Sequence, residues 1–146
     1  MDPKQLLYSE THEWVHVEKD PSGAKVALVG ITAFALEALT DLVYIDLPEA
    51  GRQVEAGQPF GEVESVKAVS DLNSPVEGEV LEANLIFKPT DDPKGEKLAK
   101  ALELLTKDPY GEGWLVKIRI ADESGLAKLM DYAAYQRQCE KEAQEH

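Results

Sequence analysis

Apolar residues recur along this chain in short bursts separated by glycine, proline and acidic residues. Trp14, Val15 and Val17 run into Asp20-Pro21-Ser22-Gly23, after which Lys25-Val26-Ala27-Leu28-Val29 resumes the apolar pattern. Asp-Pro-Ser-Gly is turn chemistry: proline fixes φ, aspartate bonds its own backbone, and glycine accepts a positive φ. The pattern predicts two strands joined by that turn. Thr32 is placed to cap a short helix through Ala33-Phe34-Ala35-Leu36-Glu37-Ala38-Leu39, rich in helix-favouring Ala and Leu. Leu42 to Leu47 is a β-branched and aromatic run closed by Pro48, which predicts another strand.

Between Gly51 and Ala83 the apolar positions include Val54, Phe60, Val63, Val66, Val69, Leu72, Val76 and Val80, with Gly57, Gly61 and Gly78 expected to supply turns. Short strands at this spacing predict a small barrel or sandwich of mostly antiparallel strands. After the polar break Asp91-Asp92-Pro93, the residues Leu98, Ala101, Leu102 and Leu105 fall at i, i+3, i+4 and i+7. They line one helix face, with Pro93 expected in the first turn. Trp114 to Ile120 reads as the last strand. Asp122 and Asp131 are then candidate N-caps, and Tyr132, Tyr135 and Cys139 share one helical face. The expected architecture is a single domain over residues 1–146, mainly β, with a helix at about 92–106 and a helical tail at about 122–146.

Composition narrows what such a domain does. With 43% apolar and 29% charged residues the chain is expected to fold and not to be disordered. The net charge of −13 disfavours phosphate backbones and anionic lipid, so neither nucleic acid nor membrane is an expected partner. No apolar run approaches the roughly 18 residues of a membrane span. The start, Met1-Asp2-Pro3-Lys4, has no secretory or transit character, so the cytoplasm is expected, or the mitochondrial matrix if a transit peptide has been removed. Cys139 is the lone cysteine, and His12, His16 and His146 are too scattered for a metal site. No serine lies in a nucleophile-elbow motif and no nucleophile–base set is evident, so no catalytic residue is assigned.

One segment stands apart. From Gly61 to Val80 there are five acids, Glu62, Glu64, Asp71, Glu77 and Glu79, and a single base, Lys67. The layout suggests two strands meeting at a tip with Lys67 at or beside the turn. Val66 and Ala68 flank it, although tips normally carry polar turn formers. By itself this describes either a solvated lysine among neutralising acids or an amine presented for modification.

Residues 61–80, Gly-Glu-Val-Glu-Ser-Val-Lys-Ala-Val-Ser-Asp-Leu-Asn-Ser-Pro-Val-Glu-Gly-Glu-Val, closely resemble the lipoyl-attachment region of the glycine cleavage system H protein family. Further blocks resemble the same family in its order: Thr11-His12-Glu13-Trp14-Val15, Val29-Gly30-Ile31-Thr32 with Glu37-Ala38-Leu39, Asp108 to Leu115, and Tyr135 with Cys139. The resemblance implies a barrel-sandwich hybrid of the lipoyl/biotinyl-carrier type, and a monomeric, non-catalytic carrier. Lys67 would hold lipoic acid in amide linkage, with Glu64, Ser65, Val66 and Ala68 forming the turn that lipoylating enzymes recognise. Glu13 and Asp71 match positions near the cleft that shelters the loaded arm, and His12 either supports that cleft or packs on Trp14. The implied partners are glycine decarboxylase (P protein), aminomethyltransferase (T protein) and dihydrolipoamide dehydrogenase (L protein). The stretch from Leu85 to Lys107 exceeds the family norm, which makes its helix an expected insertion.

Other uses of the same scaffold are a lipoyl relay in lipoate assembly and a lipoate-binding protein of sulfur transfer. A biotinyl carrier fits less well, because methionine usually flanks a biotinylated lysine and here Val66 and Ala68 do.

Overall fold

The structure, a computed structural model, describes residues 1–145, and His146 lies outside them. Among the described residues, nine strands and three α-helices follow one another as β1 (Leu7–Tyr8), β2 (Glu13–Lys19), β3 (Lys25–Ile31), α1 (Ala33–Leu39), β4 (Leu42–Asp46), β5 (Gln53–Val54), β6 (Pro59–Ser65), β7 (Val69–Asn73), β8 (Glu77–Ala83), α2 (Glu96–Lys107), β9 (Val116–Asp122) and α3 (Tyr132–Gln144). Short 3-10 turns cover Pro3–Gln5, Leu85–Phe87 and Glu123–Lys128. The strands form a six-stranded sheet, β1-β2-β3-β9-β8-β5, and a three-stranded sheet, β4-β6-β7. Every strand pair is antiparallel, as the spacing of short strands predicts.

The β2–β3 hairpin is set by its turn. Asp20 Oδ1 accepts from the amides of Ser22 (2.9 Å) and Ala24 (3.0 Å), so pairing runs in register from Lys19↔Lys25 to Glu13↔Ile31. Both faces of this hairpin are covered. Val15, Ala27 and Val29 point into the main core with Ile45, Phe60, Val63, Leu72 and Ile118. Trp14 and Leu28 join a second cluster with Tyr8, Tyr135 and Cys139 beneath α3. Two-sided burial is why β3 reads as a continuous apolar run.

Helix ends follow local capping chemistry. Thr32 Oγ1 accepts from Ala35 N (3.3 Å) at α1, and Asp131 Oδ1 accepts from Ala134 N (2.9 Å) at α3. Asp122 caps the 3-10 turn through Ser124 N (2.8 Å). The α2 start differs from the expectation: Pro93 precedes the helix, while the Asp92 carboxylate reaches forward to the amides of Lys97 (2.9 Å) and Leu98 (3.1 Å). Ala101, Leu102 and Leu105 are buried on its inner face. The last strand also begins later than expected, at Val116, because Trp114 and Leu115 still belong to the incoming loop.

Two expected turn glycines lie inside strands. A Cβ on Gly61 in β6 would stand 2.1 Å from the Asp46 carbonyl oxygen, and one on Gly78 in β8 would stand 1.9 Å from that of Arg119. Both mark irregularities in the strand pairing where backbones approach too closely for a side chain.

Candidate functional site

The hairpin β6–β7 ends at residues 66–68, which puts Lys67 at the tip with its side chain exposed. The turn is closed on itself. Ser65 N donates to Ala68 O (2.8 Å), and Ser65 Oγ both accepts from Ala68 N (3.1 Å) and donates to Ala68 O (3.3 Å). It is also tied sideways, because Val66 N donates to the carbonyl of Asp41 (2.9 Å), between α1 and β4. Ser65 is buried, whereas Val66 and Val69 are 74% and 58% exposed, so the amine rises from an apolar collar on a fixed base. Among the described residues no carboxylate pairs with Lys67.

The outer face of the small sheet carries two cross-strand rows. Tyr44, Glu64 and Val69 lie side by side nearest the tip, and Asp46, Glu62 and Asp71 lie in the next row. Directly opposed like charges cost stability, and none of these carboxylates forms an ion pair among the described residues. Asp71 is exposed and lies two residues into β7 from its first residue, Val69, about 7 Å along the strand at roughly 3.3 Å per residue.

Glu13 is placed quite differently. It is 1% exposed at the start of β2, and its carboxylate is held by three donors: Ser9 Oγ (2.7 Å), Thr11 Oγ1, and the amide of Asn73 at the end of β7 (3.1 Å). Burial raises its pKa above the ordinary 4.5, against the opposing pull of those hydrogen bonds. Glu13 therefore joins the strand of the first sheet to the root of the lysine hairpin. It borders a cleft of about 560 Å³ whose walls include Ser9, Thr11, Asn73, Ser74, Lys128 and Met130. Asp71 does not line that cleft but lies two residues before Asn73 on the same face of β7.

His12 turns toward α3. Its Nδ1 is 2.7 Å from Tyr135 Oη and its Nε2 3.1 Å from Glu142 Oε1, with the ring 5.1 Å from that of Phe34. Thr32 Oγ1 meets the same Tyr135 hydroxyl at 2.7 Å. His12 thus packs among Phe34 and Tyr135, while the Trp14 indole donates to Pro109 O (2.9 Å). Asn73, Ser9 and Asp41 were not singled out from the sequence. Thr11 stands in the Thr-His-Glu-Trp-Val block, but Asn73 and Asp41 act through backbone groups, which residue type does not reveal.

Among the described residues no group of three or more His, Cys, Asp or Glu side chains could hold a metal ion. No helix of those residues is long and apolar enough to cross a membrane.

Comparison with known proteins places this geometry in a lineage. The family described as glycine cleavage H-protein matches residues 6–142. A glycine cleavage system H protein of Rhodopirellula baltica is 50% identical over 138 residues, covering 94% of this chain and 95% of the relative. That of Thermotoga maritima is 46% identical, covering 95% and 99%. A crystal structure of a glycine cleavage system H protein from Mycobacterium marinum superimposes with a TM-score of 0.74 at 37% identity, covering 94% of this chain and 98% of that one. The chain belongs to the glycine cleavage H-protein family.

Proposed function

We propose that this protein is the lipoyl carrier of a glycine cleavage system, with lipoic acid in amide linkage on Nζ of Lys67, and that it is not itself an enzyme. The observation that carries the reading is an exposed lysine with no carboxylate partner among the described residues, on a turn locked by Ser65 and tethered through Val66 to Asp41. These residues fit the group: the amine is open to acylation, and Val66 and Val69 offer apolar surface to an aliphatic arm. When bound, lipoate would supply a dithiolane able to carry the aminomethyl group of glycine from the P protein to the T protein, its disulfide being reduced as glycine loses carbon dioxide and restored by oxidation at the L protein.

The chain's own residues position and protect. Glu64, Ser65, Val66 and Ala68 shape the turn presented to a lipoylating enzyme. The rigid hairpin fixes the base of a flexible stem, which keeps the local concentration of its far end high at each docked partner. Asp71 offers an exposed carboxylate to an ammonium brought back along β7, while Glu13, buried and held by three donors, fixes the cleft wall behind it. The charge of −13 steers the carrier toward basic entrances for brief, salt-sensitive encounters. The bacterial relatives support a cytoplasmic setting.

Intact mass and peptide mapping of protein from lipoate-replete cells test this. One lipoyl group is expected on the peptide holding Lys67, absent in Lys67→Arg with circular dichroism unchanged. An unmodified Lys67 in those cells overturns the proposal.

A further inference from the structure

A second cleft lies on the other side of the lysine hairpin, between α1 and α2. Its volume is about 620 Å³, within the roughly 300–1,000 Å³ of small-molecule sites. Leu36 of α1, Leu42 of β4 and Leu102 of α2 supply apolar floor, and Ala33 and Ala99 leave it open. Its wall is joined directly to the base of Lys67: the Asp41 carbonyl accepts from Val66 N, and Leu42 pairs with Ser65.

Resting on the carrier reading above, we infer that this α1–α2 groove is the seat of the neutral, disulfide-closed arm on Lys67, distinct from the Glu13 cleft. The two clefts differ in polarity. The Glu13 cleft is lined largely by polar groups, Ser9, Thr11, Asn73, Ser74, Glu10 and Lys128, and the Glu13 carboxylate there is already held by three donors. In the groove the carboxylates, on Glu37, Asp41 and Glu103, belong to exposed residues where water screens them, and Lys107 stands beside them. What the groove offers out of water is leucine and alanine, which favour an aliphatic chain and an uncharged ring. Tethering at residue 67 makes even weak apolar contact sufficient, because the seat and its occupant are never separated. The far wall is α2, the helix expected from the sequence as an insertion.

The test uses full-length protein, lipoylated in vitro by a lipoate–protein ligase and checked by mass. Methyl signals of Leu36, Leu42 and Leu102 are compared between the unmodified and the oxidised lipoyl forms, and all three are expected to shift. Ala99→Phe fills the groove from an exposed position on α2. In that variant, reduction of the dithiolane by a soluble phosphine is expected to quicken about fivefold, as follows if the arm spends roughly four-fifths of its time seated. Unmoved leucine methyls overturn the inference, as do equal reduction rates in the two lipoyl proteins. A shift confined to the Met130 methyl would put the neutral arm in the Glu13 cleft and also overturn it. A Lys67 that accepts no lipoyl group overturns the carrier reading and the seat together. A lipoylated Lys67 with silent groove methyls overturns the seat alone.

Discussion

Glu13 is the residue at which burial and charge conflict most openly. Its neighbours supply three donors, yet loss of solvent still pushes its pKa above 4.5. The folded protein therefore binds a proton that the unfolded chain has already released, and stability falls as pH rises from about 4.5 through the raised value. Asp20, Asp92 and Asp122 act in the opposite sense, since hydrogen bonds lower their pKa values below 3.8. Their stabilisation is complete above 3.8 and is lost only in stronger acid, outside the Glu13 window. Urea unfolding of wild type and Glu13→Gln across pH 4 to 8 isolates the effect. The wild type is expected to lose ground to the variant at up to about 1.4 kcal/mol per pH unit inside the window. A constant difference across that range would contradict the assignment. Sequence marked Glu13 as a candidate but not as buried. Its burial comes from Ser9, four residues before it, and Asn73, sixty residues after it.

At the scale of elements, the lysine hairpin was readable because its information is local. Alternation in β6 and β7 and a tight Ser65–Ala68 closure place Lys67 without reference to the rest of the fold. Capping was local for the same reason, and Thr32, Asp122 and Asp131 act where their residue types predict. Gly61 and Gly78 were misread as turns because a glycine's reason lies across the sheet. In β8 the reason is the Arg119 carbonyl, 1.9 Å from where a Cβ would sit. Gly78→Ala must part β8 from β9, and it is expected to cost about 3 kcal/mol. The urea midpoint should fall while far-ultraviolet circular dichroism keeps its shape. A midpoint within error of wild type would mean the strands yield more readily than their packing implies.

For the whole molecule, 28 acidic against 15 basic residues leave self-repulsion that the four exposed or partly exposed Lys and Arg ion pairs among the described residues do little to offset. The opposed row of Asp46, Glu62 and Asp71 concentrates it on one face. Raising ionic strength from about 0.1 M to about 1 M shortens the screening length from roughly 10 Å to 3 Å. The melting temperature in sodium chloride should therefore rise over that range, and a fall would show that attractive pairs outweigh the repulsion.

The sequence by itself determined the β2–β3 hairpin, the Thr32, Asp122 and Asp131 caps, the inner face of α2 and the lysine tip, all of which depend on residues within a turn or a strand of one another. It also carried the family, through blocks of side chains whose order survives without coordinates. Only the tertiary structure decided that Glu13 is sealed against the root of the hairpin while Asp71 stays in water. It alone turned His12 toward Tyr135 and opened a leucine-floored groove beside Lys67. Those outcomes depend on which strands and helices meet across the core, and close approach between distant segments leaves no periodic trace in the chain.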